Sequence, residues 1–154
     1  MIDIEIEAEA WSAAEPAAEA LSRQAAEAAL AHEGRAGGGV TILLTDDAAV
    51  ADLNVRFRGK DGPTNVLSFP AAANPEQHLG DVALAYEVCV AEAAQQGKPL
   101  AHHLQHLVAH GVLHLLGYDH MKDEEALAME GLERVVLASL GVPDPYAAGE
   151  GDHD

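Results

Sequence analysis

Three histidines in the last third of the chain have the spacing expected of a metal site. The segment is His110-Gly-Val-Leu-His114-Leu-Leu-Gly117-Tyr-Asp-His120. Residues four apart lie on one face of a helix, one turn apart, so the first two imidazoles can share an ion. Gly117 favours a turn that ends the helix, and His120 follows that turn. We therefore expect His110, His114 and His120 to bind one metal ion.

His106 is the competing candidate, because it also lies four residues before His110. His106 and His114, however, would be ~12 Å apart along a helix, which is too far for one ion. The later pair is preferred because a glycine turn and a third histidine follow it. The remaining histidines are expected to be surface or internally satisfied side chains: His32, His78, His102, His103 and His153.

Three histidine ligands leave one position open on a tetrahedral zinc ion, which is typical of a catalytic site. Zinc lowers the pKa of bound water to about 7 and polarises a carbonyl or phosphoryl oxygen. We expect one Zn²⁺ per chain, and nickel remains an alternative metal. Asp119 is a candidate for orienting a ligand imidazole, although it would serve equally well to cap the turn.

The histidine spacing also matches the metzincin protease motif, His-Glu-x-x-His-x-x-Gly-x-x-His. The match covers all three histidines and the glycine, but Gly111 stands where the motif has its general-base glutamate. Without that carboxylate, water activation and proton delivery to a leaving amine lack their usual group. A metzincin-like metallopeptidase is therefore an alternative that the chemistry disfavours.

Phosphodiester chemistry needs a cation to stabilise negative charge on the phosphoryl oxygens. Arg56, Arg58 and Lys60 are three of the eight basic side chains, and they fall within five positions. Arg58 begins a loop rich in glycine and proline, and arginine binds phosphate through two parallel hydrogen bonds. We take Arg58 as the candidate catalytic arginine, with Arg56 and Lys60 as neighbouring cations.

Hydrophobic periodicity places these residues in an α/β (α+β) domain spanning residues 1–146. Strands are predicted at 2–6, 40–44, 66–69 and 80–86, and helices at 13–33, 46–57, 87–96, 100–116 and 123–140. Pro16 is compatible with the first turn of the first helix. The prediction is a single small mixed sheet of about four strands with four to five helices, and a metal site at the end of a central helix. Residues 147–154 are expected to form a flexible acidic tail.

Composition restricts the partners and the compartment. The net charge of −18, from 26 acidic and 8 basic residues, argues against loose charge-driven binding to nucleic acid or anionic membranes. No apolar run approaches the ~20 residues of a membrane-spanning helix. Cys89 is the single cysteine and is expected to be a buried filler. A chain without an intrachain disulfide fits a cytoplasmic protein without membrane contact.

Two long motifs resemble the YbeY family of bacterial metal-dependent endoribonucleases. They are Arg58-Gly-Lys-Asp-Gly-Pro-Thr-Asn-Val-Leu-Ser-Phe-Pro70 and the histidine segment 110–120, accompanied by Gly80-Asp81 and Asp144-Pro-Tyr146. The resemblance runs from about residue 40 to Tyr146. It implies that His110, His114 and His120 are zinc ligands and that Arg58 contacts the scissile phosphate. With an RNA substrate, Arg56 and Lys60 become candidate RNA-binding residues.

The resemblance also implies a biological role. Members of the YbeY family cleave single-stranded RNA, mature the 3′ end of small-subunit ribosomal RNA and contribute to ribosome quality control. The acidic charge of this chain suggests that a ribosomal protein or assembly factor helps to recruit it. A non-catalytic, zinc-stabilised ribosome assembly factor remains a second alternative.

Overall fold

A computed structural model describes residues 2–118 and 122–146 of the chain. In chain order the elements are β1 (Ile2–Ile6), α1 (Glu9–Ala14), α2 (Ala18–His32), β2 (Gly39–Thr45), α3 (Asp47–Arg58), β3 (Val66–Pro70), β4 (His78–Ala85), α4 (Tyr86–Gln96), α5 (Leu100–Leu115) and α6 (Asp123–Ser139). The predicted α+β fold is therefore confirmed.

The four strands form one mixed sheet in the order β1-β2-β4-β3. β1 and β4 both run parallel to β2, whereas β3 runs antiparallel to β4. β2 is central, and its residues Val40, Ile42 and Leu44 are fully buried. The antiparallel strand β3 lies at an edge, which leaves room for a cleft beside it.

The N-terminal helical region differs from the sequence prediction. One helix was predicted over residues 13–33, but α1 and α2 are separate helices interrupted around Pro16. Glu15 has φ −140° and ψ 94°, an extended conformation that fits the steric restriction on a residue before proline. Pro16 therefore separates two helices, and the described residues form six helices instead of four or five.

α5 is the central helix. It packs on the sheet and on α2, and Leu104, Val108, Val112 and Leu113 are completely buried. The helix ends at Leu115, and Gly117 adopts a positive φ of 105°, as its predicted role in the turn requires. One face of α5 is thus fixed in the core while the other is held in place along β3.

None of the helices in residues 2–118 and 122–146 combines enough length with enough apolar character to cross a bilayer.

Candidate active site

A cleft of about 540 Å³ lies between α5, β3 and the C-terminal end of α3. Its lining residues are Asn54, Arg58, Lys60, Thr64, Asn65, Val66, Leu67, Ser68, Pro70, His110 and His114. Two of the three predicted metal ligands and the predicted catalytic arginine therefore line the same cleft.

His110 and His114 project into the cleft from successive turns of α5. Their ring centroids are 4.8 Å apart and the rings are inclined by 79°. The rings of His106 and His110 are further apart, at 6.4 Å, and His106 does not line the cleft. The tertiary structure therefore brings together the same histidine pair that the spacing favours.

A buried carboxylate from α6 lies behind these histidines. Glu133 is 1% exposed; its Oε2 accepts a hydrogen bond of 2.7 Å from Nδ1 of His110, and its Oε1 accepts one of 2.7 Å from Nε2 of His106. The hydroxyl of Tyr146 also donates to Glu133. Burial raises the pKa of Glu133, but the hydrogen bonds from His106 and His110 outweigh it and lower the pKa to about 2. Glu133 is therefore ionised at neutral pH.

The ionised carboxylate determines the tautomer of His110. A carboxylate without a proton can only accept, so Nδ1 of His110 must donate the proton of this hydrogen bond. A metal ion at His110 would then be coordinated through Nε2. Metal-ligating histidines commonly donate their other ring N–H to a carboxylate in this way, and the contact fixes the orientation of the ring.

The basic cluster predicted from the sequence is divided by the fold. Arg58 and Lys60 line the cleft, whereas Arg56 lies outside it and pairs with Asp52 at 3.1 Å on the exposed side of α3. The loop after α3 is held by Asn54, whose Nδ2 donates to the carbonyl of Gly62 at 2.8 Å. This contact fixes the segment that carries Lys60.

Gly111 allows α5 to approach the sheet closely. A Cβ atom at this position would lie 2.6 Å from Cγ1 of Val82 and 3.2 Å from Oγ of Ser68. Ser68 Oγ also donates to the carbonyl of Gly111 at 3.0 Å, which ties β3 to α5. A glutamate at position 111 would therefore collide with the fully buried Val82, and the general-base position of the protease motif is closed by packing.

The described donor atoms suit zinc, since imidazole nitrogen is one of its usual ligands. Residues 2–118 and 122–146 contain no group of three His, Cys, Asp or Glu side chains that is arranged to hold an ion. The third predicted ligand, His120, and the predicted orienting residue, Asp119, lie outside the described residues. The described part of the candidate site thus consists of His110 and His114, supported by Glu133.

Sequence reasoning missed Glu133, although a signal for it exists. Met129, Glu133, Val136 and Leu137 occupy one face of α6 and are all buried. A single glutamate at the core-facing positions of an amphipathic helix needs a partner in the interior. The chain order does not show which residue that partner is, because α5 and α6 meet only in the folded protein.

The environment of Cys89 does not suit a nucleophile. It is fully buried, and its Sγ lies 3.6 Å from the carbonyl oxygen of Asn65. Burial raises the pKa of the Cys89 thiol well above its ordinary value, and the nearby charges of Glu92 and Asp47 act in the same direction. The thiolate is therefore not populated at neutral pH, in agreement with the prediction of a buried filler.

A family profile described as "Endoribonuclease YbeY" matches residues 3–141. A protein named "Endoribonuclease YbeY" from Rhodopseudomonas palustris (strain BisB18) is 52% identical, over 94% of this chain and 91% of the relative. One of the same name from Paramagnetospirillum magneticum is also 52% identical, over 94% of both chains. The solution structure of TM1509 from Thermotoga maritima has a TM-score of 0.60 and 23% identity, covers 99% of this chain and 98% of its own, and shows the shared fold.

Proposed function

Because this chain belongs to the YbeY family of endoribonucleases, we propose that it is a zinc-dependent endoribonuclease that cleaves single-stranded RNA. The observation that supports this proposal best is the shared cleft. His110 and His114 line it from α5, and Arg58 and Lys60 line it from the end of α3. A metal-binding pair and two cations in one cleft are suited to a phosphodiester.

His110, through Nε2, His114 and His120 would hold the zinc ion. When bound, zinc supplies Lewis acidity that polarises a phosphoryl oxygen and makes a nucleophilic water more acidic. Glu133 keeps the ring of His110 in the tautomer and orientation that coordination requires. Its ionised carboxylate also adds negative charge behind the ligands, which favours a cation in front of them.

Arg58 and Lys60 would hold the RNA backbone. The guanidinium of Arg58 can donate two parallel hydrogen bonds to the scissile phosphate and stabilise the charge that develops during cleavage. Lys60 would contact a neighbouring phosphate as a mobile point charge. Arg56, on the outer side of α3, would guide the strand towards the cleft, which requires it to exchange its pairing with Asp52 for a phosphate.

We place this activity in the cytoplasm, in maturation of the 3′ end of small-subunit ribosomal RNA and in ribosome quality control. The net charge of −18 supports the participation of a ribosomal protein or assembly factor, because an acidic chain repels a free polyanion. Local contacts in the cleft and a protein partner would then supply the binding that long-range attraction does not.

Cleavage of a single-stranded RNA and of casein tests the proposal, using wild type, His114→Ala and Arg58→Ala. We expect zinc-loaded wild type to cleave RNA and not casein, and Arg58→Ala to lose about 10²–10³-fold in kcat. Arg23→Gln is the matched control, since Arg23 lies on α2 and pairs with Glu19 outside the cleft. Normal RNA cleavage by Arg58→Ala would refute its role, and casein cleavage would favour a peptidase. Intact RNA with wild type that still binds ribosomal partners would favour an assembly factor.

The metal site has a separate test. Tag-free wild type is expected to retain about one equivalent of zinc after dialysis, and His110→Ala is expected to lose it. Elemental analysis by mass spectrometry gives the metal content and distinguishes zinc from nickel. Less than one equivalent in wild type, unchanged in His110→Ala, would contradict the proposed site.

A further inference from the structure

We propose that Phe57 is a stacking platform for an unpaired base of the RNA held in the cleft. The inference rests on the proposed endoribonuclease function and adds a base-binding position to it. The proposed metal ligands and phosphate-binding cations would contact the RNA backbone, so they do not by themselves distinguish single-stranded from double-stranded RNA.

Phe57 is unusual in its exposure. Its side chain is 62% exposed, and every other aromatic side chain in the described part of the chain is buried or only partly exposed. Burial of a phenylalanine side chain stabilises a fold, and the exposure of Phe57 leaves much of that stabilisation unrealised. A single exposed apolar residue is common on protein surfaces, so exposure alone carries no function and the surroundings of the ring decide the question.

The ring is held in a defined position. It contacts Phe69 edge-on, with centroids 5.6 Å apart and an interplanar angle of 65°. Phe69 belongs to β3, where it pairs with Asp81 of β4, and it packs against a small core cluster that includes Leu67 and Val50. The guanidinium of Arg56 lies 5.5 Å from the centroid of the Phe57 ring. Phe69 and the Arg56 guanidinium therefore hold the ring in place, although Phe57 as a whole stays 62% exposed.

Phe57 precedes the cleft-lining Arg58 in α3 but does not itself line the cleft. Asn54 and Arg58, on the same helix, both line the cleft. At ~100° per residue, Phe57 lies about 60° from Asn54 and about 100° from Arg58 around the axis of α3. Its contact partner Phe69 alternates along β3 with the cleft-lining Ser68 and so projects to the opposite face of the sheet, where it packs with Val50 of α3. Because Phe57 adjoins Arg58 in α3, a base next to a phosphate bound by Arg58 would reach the ring from the edge of the cleft.

Because the net charge of the protein is negative, a non-ionic contact beside the cleft would add affinity for RNA. An acidic protein repels RNA over long distances, so affinity must come from short-range contacts. Stacking of a base on an aromatic ring is worth about 1–3 kcal/mol and tolerates any base, because every base has a π face. Arginine guanidinium groups stack on bases as well, and the Arg56 guanidinium already lies over one face of the ring, so a base that stacks on that face takes its place.

Stacking on Phe57 would also favour single strands. A base must leave its neighbours and turn outward to reach a protein ring, which loops and single strands allow and a regular duplex does not. The exposed ring of Phe57 would therefore contribute to the preference for single-stranded RNA that is proposed for this protein.

Tryptophan fluorescence tests the contact without cleavage. The chain has one tryptophan, Trp11, which is fully buried, so Phe57→Trp introduces a single exposed fluorophore. Metal-free protein kept in a chelator is titrated with a short unstructured RNA and with a hairpin RNA of equal length. We expect the single strand to quench the added fluorescence and the hairpin to have little effect, while wild type shows no change with either.

Steady-state cleavage provides the second measurement. Phe57→Leu keeps an apolar contact with Phe69 but removes the π face, and we expect its KM for single-stranded RNA to rise about 5- to 150-fold. Phe57→Tyr retains a π face and should stay close to wild type. Leu127→Ala is the matched control, because Leu127 is 67% exposed on α6.

The outcomes separate this inference from the proposed function. If wild type cleaves RNA but Phe57→Trp is not quenched, or if Phe57→Leu has the KM of wild type, the stacking role is wrong and the nuclease function stands. Equal quenching by the hairpin would overturn the link to strand preference. If wild type neither binds nor cleaves RNA, the proposed function itself fails.

Discussion

Glu133 supports the candidate site although it does not line the cleft. Glu133 is buried, ionised and hydrogen-bonded to both His106 and His110. A buried charge is costly unless it is paired, and here two imidazoles and the Tyr146 hydroxyl satisfy it. His106 is thereby engaged in supporting the carboxylate, while the same carboxylate orients His110 towards the cleft.

Replacement of Glu133 by glutamine should weaken metal binding. Glutamine has nearly the same shape, but it has one accepting oxygen and no charge, so it cannot accept from both histidines. We expect the zinc affinity of Glu133→Gln to fall about 10–100-fold, measured by competition with a fluorescent chelator. Glu124→Gln, at an exposed position in the first turn of α6, is the control. Wild-type affinity in Glu133→Gln would show that this carboxylate does not support the site.

At the scale of elements, the site depends on how closely α5 approaches the sheet. Gly111 lies against Val82 of β4 and Ser68 of β3, with no space for a Cβ atom. The approach places the histidine face of α5 beside the edge strand β3, and β3 in turn leads from the loop that carries Lys60. The glycine that removes the protease base is thus also the residue that makes this packing possible.

Two glycine-to-alanine substitutions test this packing. Gly111→Ala forces a Cβ atom to 2.6 Å from Val82, and we expect a loss of about 1–2 kcal/mol in the free energy of unfolding, overpacking less the gain in helix propensity. Gly131→Ala is the matched control on α6, where a Cβ atom meets nothing within 4 Å. It should stabilise the protein by up to about 1 kcal/mol. Urea denaturation measures both, and equal effects of the two substitutions would contradict the close-packing argument.

At the scale of the whole molecule, charge limits how the substrate binds. The chain carries a net charge of −18, yet the cleft presents Arg58 and Lys60. Salt screens repulsion between distant charges more than it screens short contacts. Because the described lining of the cleft presents two cations, RNA binding should release few counterions, in contrast to basic nucleic-acid-binding proteins.

The salt dependence of RNA binding measures the number of phosphate contacts. Each neutralised phosphate of a single strand contributes about −0.7 to the slope of log K against log salt concentration, so two contacts predict about −1.4. Lys60→Gln should reduce the magnitude of this slope by about 0.7. Participation of Arg56 in wild type would increase the magnitude to about 2.1. Fluorescence anisotropy with a labelled oligonucleotide gives these slopes, and Arg23→Gln should leave them unchanged. A much steeper slope in wild type would show that further cations contact the RNA.

Features that depend on residues close together in the chain, such as helix faces and strands, could be predicted from the sequence. Residues four apart share a helix face because of the helix repeat, so the pairing of His110 with His114 follows from spacing alone. Alternation of apolar residues located β1 for the same kind of reason, since the pleat has a period of two, and a continuous apolar, β-branched run located β2. The local signal that was misinterpreted is Pro16, which does not lie in the first turn of one long helix but restricts Glu15 and separates α1 from α2.

Contacts between distant segments were decided only by the tertiary structure. Glu133 and His110 are 23 residues apart, and the packing of α6 on α5 brings them together. The division of the basic cluster, with Arg58 in the cleft and Arg56 outside, depends on how α3 lies on the sheet. Backbone periodicity specifies which side chains share a face, whereas the core packing of those faces determines which residues meet across elements.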